Sequence, residues 1–454
     1  MASFDSALEH VLVHYRWVFV CFFLLPISLF YEVWLYTRNW IVFQLNSAPR
    51  QHDKKVRNVQ RQVKQWQDSG RRTKMCTARP GWQTMSFRQP KYKKTMFNVN
   101  VNLVDIINVD EEKRTVLVEP LVNMGQLSAT LTPLGWTIPV LPEIDDLTVG
   151  GMVMGTGIES SSHKYGLFQH ICKSYELVLA DGSVVTCSKD NNSELFYSIP
   201  WSYGSLGFLT AVEIQIIPAT KYVKLEYKPV RSLDEAVSVF KEETLKTTQN
   251  QFVEGLMFNK EEGVIMTGNM TELHEANKDI IPFGNNPIFR FLLGWMMPPK
   301  VSLLKLTQTK AIKKLYENNH IIQDMLVPIS SMAESIQMFH DAVQVYPLWL
   351  CPFKLNNDPG LVHSSNNGDE IYVDIGVYGV PKVPNFHPVN TTRRIEEYVR
   401  KVKGFQMLYA DTYATREEFE EMFDFSLYKQ MRNKLNATEA FPDMYDKVNK
   451  HVRE

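Results

Sequence analysis

The sequence predicts an α+β protein in two units, placed behind one apolar N-terminal helix. Three observations carry that prediction. Strand-like and helix-like stretches mix along the 454 residues without the regular strand–helix alternation of a parallel sheet. The text is β-rich from Arg72 to Pro218 and then changes to helices and hairpins, which sets a boundary near residue 220. The stretch RWVFVCFFLLPISLFYEVWLY, Arg16 to Tyr36, is apolar and aromatic, with Glu32 as its only charge after Arg16. The expected division is a membrane anchor over 1–43, a first unit over 44–219 and a second over 220–454.

The apolar run, with its helix expected at about 17–37, is long enough to cross a hydrocarbon core of roughly 30 Å at about 1.5 Å per residue. Pro26 is expected to kink it, which bilayer helices tolerate. Trp17, Trp34 and Tyr36 suit its interfacial ends, and Arg38, Arg50, Lys54, Lys55, Arg57, Arg61 and Lys64 follow it. That bias places everything after about residue 38 in the cytosol. No small-residue cleavage site follows, as a removed signal peptide would require.

Next, Val56, Val59, Val63 and Trp66 recur at helical spacing within Ser47–Gly70, opposite a basic face expected to be solvated. TVLVEPL alternates like a strand. MGQLSATLTPLGW reads as a short helix closed by Gly135. YELVLADGSVVTC is a hairpin turning at Asp181-Gly182. In the second unit, SLDEAVSVFKEETLKTTQ is a helix and FVEGLMFNKEEGVIMTGNM a hairpin. VYPLWLCPF and EIYVDIGVYG are strands, and NTTRRIEEYVRKV and TREEFEEMFDFSLYKQMRNKL are helices.

Composition excludes several functions. Basic and acidic residues balance at 49 and 50, which argues against nucleic acid as a partner. Five scattered cysteines, Cys21, Cys76, Cys172, Cys187 and Cys351, contain no CxxC pair, so neither a zinc site nor a disulfide framework is expected. The chemistry-bearing feature is TVGGMVMGTGIES, Thr148 to Ser160, with Gly150, Gly151, Gly155 and Gly157. Its spacing is not a dinucleotide fingerprint, because Ser160 stands where the third glycine would. Glycines admit close backbone approach, and successive bare amides make an anion-binding concavity suited to a pyrophosphate.

PEIDDLTVGGMVMGTGIESSSHKYGLFQH, YELVLADGS and ELFYSIPWSYGSLGFLT occur in that order. Together they resemble the flavin-binding domain of the vanillyl-alcohol-oxidase and p-cresol-methylhydroxylase superfamily. The resemblance implies FAD between two small α+β subdomains over roughly 44–219. It makes Thr148, Val149, Gly150, Gly151, Met152, Val153, Met154, Gly155, Thr156, Gly157, Ile158, Glu159 and Ser160 the cofactor loop. ARPGWQT (Ala78–Thr84) and YGSLGF (Tyr203–Phe208) are then its earlier and later partners. ARPGWQT lacks the histidine that holds flavin covalently in many members, so FAD is expected without a covalent link. VGGMVMGTGIESSSHKYGLFQHIC, IPFGNNPIFR, PPKVSLLKLTQ and GFQMLYADTYATREEFEEMFD further resemble the delta(24)-sterol reductase branch. That likeness implies a membrane-bound enzyme of sterol synthesis in the endoplasmic reticulum, or alternatively the Golgi. It would use FAD and NADPH to saturate a side-chain double bond. It also exposes a departure: MTGNMTELHEANKDIIPFGNN joins directly two segments that such reductases separate by several tens of residues.

Position suggests the reacting groups. QMLYADTY alternates, so an extended strand would put Tyr409, Asp411 and Tyr413 on one face, as proton-donor candidates or as a polar ladder bracing the fold. Asp374 and Tyr378 are weaker candidates. His163 and His170 suit packing as well as chemistry. Glu143, Asp145 and Asp146 suit turn chemistry. FRFLLGWMMPPKVSLLKL, Phe289 to Leu306, is a sterol wall or ordinary core. No separate NADPH fingerprint exists, and the oligomeric state is left open. The rivals are, because of the direct join, a membrane-anchored flavin-binding form without catalysis and a flavin oxidase or dehydrogenase of a hydroxy acid or sugar lactone. The HWGK-like and HGDGN-like motifs of such enzymes are absent, and His363 is followed by Ser-Ser-Asn-Asn.

Overall fold

The computed structural model describes residues 20–86, 90–272, 300–307, 310–364 and 368–453. The direct join after Thr271 and the Phe289–Lys300 part of the expected sterol wall lie almost wholly outside the described residues. A π-helical turn, Val20–Leu24, leads into the helix Leu25–Asn46. Pro26 falls in its first turn, where a missing N–H leaves no bond unmade, so it begins the α-helical segment instead of kinking it. Tyr31 and Leu35 pack with Leu303 beside Trp82, whereas Phe22, Phe30, Trp34, Tyr36 and Trp40 are exposed. Arg38 lies 5.1 Å from the Trp82 ring centroid. With the Gln83 amide turned to present its oxygen, Arg38 donates to it at 3.0 and 3.1 Å. Among the described residues no helix is long and apolar enough to cross a membrane. Residues 17–19 of the expected span lie outside that set.

The helix His52–Asp68 buries Val56, Val59, Val63 and Trp66, as their spacing predicts. Its basic face is not wholly solvated. Lys55 pairs with Asp105 at 2.8 Å and Glu119 at 2.5 Å. Burial disfavours charge on His52, but hydrogen bonds to Glu119 and Glu176 hold it up to about 9.

Strands β1 (Met75–Thr77) and β2 (Phe97–Val99) form a parallel pair. Strands β3 (Ile106–Asp110) and β4 (Thr115–Val118) follow, then the two-residue β5 (Trp136–Thr137). Next come β6 (Cys172–Val178), β7 (Val184–Ser188), β8 (Phe208–Gln215) and the two-residue β9 (Ile217–Pro218), which pairs with β5. An antiparallel sheet has the order β3-β4-β8-β6-β7. The β6–β7 hairpin turns at Gly182, whose φ of +86° only glycine takes easily.

The second unit is an antiparallel sheet of β10 (Tyr222–Val230), β11 (Phe252–Met257), β12 (Gly263–Thr271), β13 (Ile321–Pro328), β14 (Leu348–Leu355), β15 (Glu370–Gly379) and β16 (Phe405–Gln406). Its order is β10-β12-β11-β14-β15-β13-β16. One face carries Val253, Met257, Met325, Val327, Leu350, Val373, Ile375 and Val377. These pack under the helices Leu233–Leu245, Met332–Ala342 and Pro388–Lys401. On the other face Leu326, Cys351, Phe353, Leu355 and Tyr372 join the core of the first unit.

The predicted helix over Thr415–Leu435 is two, Arg416–Met422 and Ser426–Lys434, because Phe423 turns extended between them. The break lets Phe419, Phe423 and Phe425 all point into the core. From there the chain returns to the first unit. Tyr428 Oη meets Ser205 Oγ at 2.6 Å, and Phe441 stacks edge-on against Phe208.

Candidate active site

The glycine-rich stretch is not the open ribbon its composition suggests. Val149–Gly155 is a short helix capped by Thr148, whose Oγ1 accepts from Gly151 N. The amides of Val149 and Gly150 already donate to Val122 O and Pro120 O, each at 2.8 Å. A Cβ on Gly150 would meet Pro120 Cβ at 2.9 Å, so this glycine serves close packing. Gly151, by contrast, is exposed, and its Cβ would meet only Thr148 Oγ1. The chain leaves the helix at Thr156, in the left-handed region at φ +69°. Thr156 Oγ1 then donates to Gln169 Oε1 at 2.5 Å.

The three stretches expected to share a ligand do come together. Arg79 Nη1 donates to Thr148 Oγ1 at 2.7 Å and Nη2 to Gln83 O at 3.1 Å. Tyr203 N donates to Met154 O at 3.1 Å, and Tyr203 Oη would lie 3.4 Å from a Cβ on Gly155. Burial holds the Arg79 guanidinium down at about 10, and no carboxylate among the described residues pairs with it, since Asp146 is taken by Lys300 at 2.8 Å. An unneutralised guanidinium beside a capping hydroxyl and a bare glycine fits a phosphate-bearing cofactor. Further on, Ser160 O accepts from Val253 N at 2.8 Å, which fixes the loop to β11 of the second sheet. His163 bridges Ser160 O and Asn250 O, 3.1 Å from each, so its placement is one of bracing.

Across from the loop lies an acid cluster. Asp324 on β13 accepts from Tyr409 Oη at 2.6 Å through Oδ2 and from Tyr378 Oη through Oδ1. Gly376 stands opposite Asp324 in the register, and a Cβ there would meet Tyr378 Oη at 2.6 Å. This glycine therefore makes room for the triad. Asp374, opposite Leu326 and Cys351, is buried, and its Oδ1 has no hydrogen-bond partner among the described residues. Trp349 Nε1 donates to Glu254 Oε2 at 3.3 Å on the same side. Burial lifts Asp324 to about 6 against the pull of its two tyrosines. Burial and the charge of Asp324 lift Asp374 well above the ordinary carboxylate range. Glu159 of the loop is pushed up to about 9 by burial, then by the charge and hydrogen bond of Glu143 and by Glu254. Burial likewise raises Tyr409 and Tyr378. This wall is thus rich in groups that keep their protons near neutral pH.

Of the predicted trio only Tyr409 belongs to this wall. Strand β16 ends at Gln406, so QMLYADTY is not extended and does not share one face. Asp411 instead pairs with Lys450 at 2.9 Å. Lys450 also lies 5.8 Å from the Tyr413 ring centroid, and His451 meets that ring edge-on. Asp374 and Tyr378 are in the cluster. Its central residue, Asp324, was not singled out by sequence. The available signal was an acid within the otherwise apolar strand IIQDMLVP.

Residues 55–188 match the family model of an FAD binding domain, which defines the first unit as that of a flavoprotein. Over nearly its whole length the chain is similar to proteins of one kind. It is 53% identical to the human delta(24)-sterol reductase, covering 99% of this chain and 96% of that protein. It is 44% identical to the delta(24)-sterol reductase homolog dhcr-24 of Caenorhabditis elegans (98% and 96%) and 35% identical to the Arabidopsis thaliana enzyme (96% and 92%). The chain belongs to the delta(24)-sterol reductase family. The human alignment runs over 496 positions against 454 residues here, so at least 42 positions carry no residue of this chain.

Proposed function

We propose that this chain reduces the side-chain C24=C25 double bond of a sterol, a reaction of the desmosterol-to-cholesterol type, with non-covalent FAD and with NADPH as reductant. Full-length similarity to delta(24)-sterol reductases and the FAD binding domain support the reading. The observation that carries it is the Asp324–Tyr378–Tyr409 triad, on the same sheet whose strand β11 is bound to the loop by Val253 N and Ser160 O.

Arg79 and Thr148 would hold the cofactor's phosphates, with Gly151 open beside them. When bound, the flavin supplies the hydride, drawn from NADPH. An isolated alkene has no carbonyl to polarise it, so the protein must supply a proton. Tyr409 Oη gives that proton to the less substituted alkene carbon, and the tertiary carbon takes the hydride as cationic character builds on it. Asp324, which accepts from Tyr409 Oη, orients that phenol, and Asp374 beside it would hold a proton in reserve.

The exposed aromatic face of Leu25–Asn46 and the basic residues beyond Arg38 support seating on the endoplasmic reticulum membrane, with the remainder cytosolic. One rival reading has a specific observation behind it: the 42 or more absent positions favour a form that binds flavin without turning over. A single experiment separates them. The purified chain is expected to show flavin absorbance, to bleach with NADPH under anaerobic conditions, and to regain colour on addition of desmosterol. Bound flavin that NADPH cannot bleach would establish the inert form, and bleaching by a hydroxy acid would establish an oxidase.

A further inference from the structure

We propose that Lys447, from the helix Met444–Val448 near the other end of the sequence, completes the phosphate-binding side of the flavin site together with Lys93 and Arg79. The inference rests on the flavin reading above. Lys93 Nζ donates to Arg79 O at 2.7 Å and to Thr77 O at 2.9 Å, so it lies under the turn that carries Arg79. Lys447 Nζ donates to Tyr203 O and stands 6.0 Å from the Tyr92 ring centroid. It also lies 4.0 Å from where a Cβ on Gly204 would sit. Tyr203 is in turn bonded to Met154, in the helix that Thr148 caps. Three parts of the chain thus bring three cations to one place.

None of the three pairs with a carboxylate among the described residues. Their acceptors are neutral carbonyls and hydroxyls. Each keeps part of its surface exposed, as cleft-lining residues do, while its charged end is crowded by protein. Burial lowers all three, and each lysine is lowered further by its neighbour: Lys93 by Arg79, and Lys447 by Lys93. Lys447 is held at about 8, with Lys93 and Arg432 against its charge and Cys76 favouring it. Like charges kept together raise one another's energy, and a dianion placed among them reverses that. An ammonium is a compact donor of the kind that phosphate oxygens accept from.

The test uses the full chain stripped of flavin, titrated with FAD, with ADP (which keeps the diphosphate) and with riboflavin (which lacks it). Lys447→Met is expected to weaken FAD and ADP about ten- to hundredfold, the usual range for a charged hydrogen bond, and to leave riboflavin unchanged. Lys447→Arg should stay close to the parent protein. The parent's FAD affinity should fall as pH rises through about 8, where the free ammonium loses its proton, and Lys447→Met should abolish that fall. Unchanged FAD affinity in Lys447→Met, or an equal loss for riboflavin, overturns the assignment. Should Lys447→Met fail to fold, the pH curve of the parent decides: a flat curve across pH 8 overturns it. A parent chain that takes up no FAD at all defeats the flavin reading itself, an outcome distinct from the others.

Discussion

The two faces of the seven-stranded sheet differ as if they belonged to different proteins. Alternate residues along the same strands supply both: Met325 and Val327 point to one side and Asp324 to the other, while Val373 and Ile375 oppose Asp374. The helix-covered side is largely apolar, with Gln323 and Thr267 as buried polar exceptions. The side toward the flavin unit sets carboxyls and phenols among its apolar residues. The period of two along a strand has thus separated what holds the fold from what can move a proton.

The strongest way to break this comparison is to cut into the apolar side. Phe240 is fully buried there, and Phe240→Ala is expected to cost about 3–5 kcal/mol in denaturant unfolding. Turnover per folded, flavin-loaded molecule should not change. A loss of turnover at full flavin content would mean that the two faces are not separate in function.

Tyr409→Phe is the converse. It keeps the ring and removes the proton, so sterol reduction should slow about a hundredfold or more, while NADPH bleaching stays close to the parent and the unfolding midpoint falls only modestly, since Asp324 Oδ2 loses its donor. Equal slowing of both half-reactions would place Tyr409 in positioning the flavin instead.

A pH-dependent effect sharpens the boundary between the units. Glu159 is raised from its ordinary 4.5 to about 9, so across that window the folded chain holds a proton that the unfolded chain has lost. Stability therefore declines as pH rises from about 4.5 toward 9. Glu159→Gln cannot titrate and should flatten that slope in unfolding curves taken at several pH values. An unchanged slope would show that Glu159 is ionised near neutral pH.

Much of the framework could be read directly from sequence. The Val56–Trp66 stripe, the Asp181-Gly182 turn and the β11–β12 hairpin are local patterns whose cause lies within a few residues. The site was legible only where the chain is local too. Alternation singled out Tyr409, Asp411 and Tyr413 together, but no strand exists there, and the structure does not put Asp411 and Tyr413 on the face of Tyr409. Asp324 and Tyr409 are 85 positions apart, and only the sheet register and the return of the chain beyond β16 unite them. Lys447 carries no signal at all. It is a lysine in an ordinary helix until the fold delivers it to Tyr203.

Gln83 stands between two guanidinium groups, Arg38 on its side chain and Arg79 on its carbonyl. A fragment begun after the apolar helix for the sake of solubility would uncover Trp82 and remove one wall of the turn that presents Arg79. Such a fragment is a poor stand-in for the whole polypeptide. Its colour, more than its yield, is the measure by which any trimmed version should be judged.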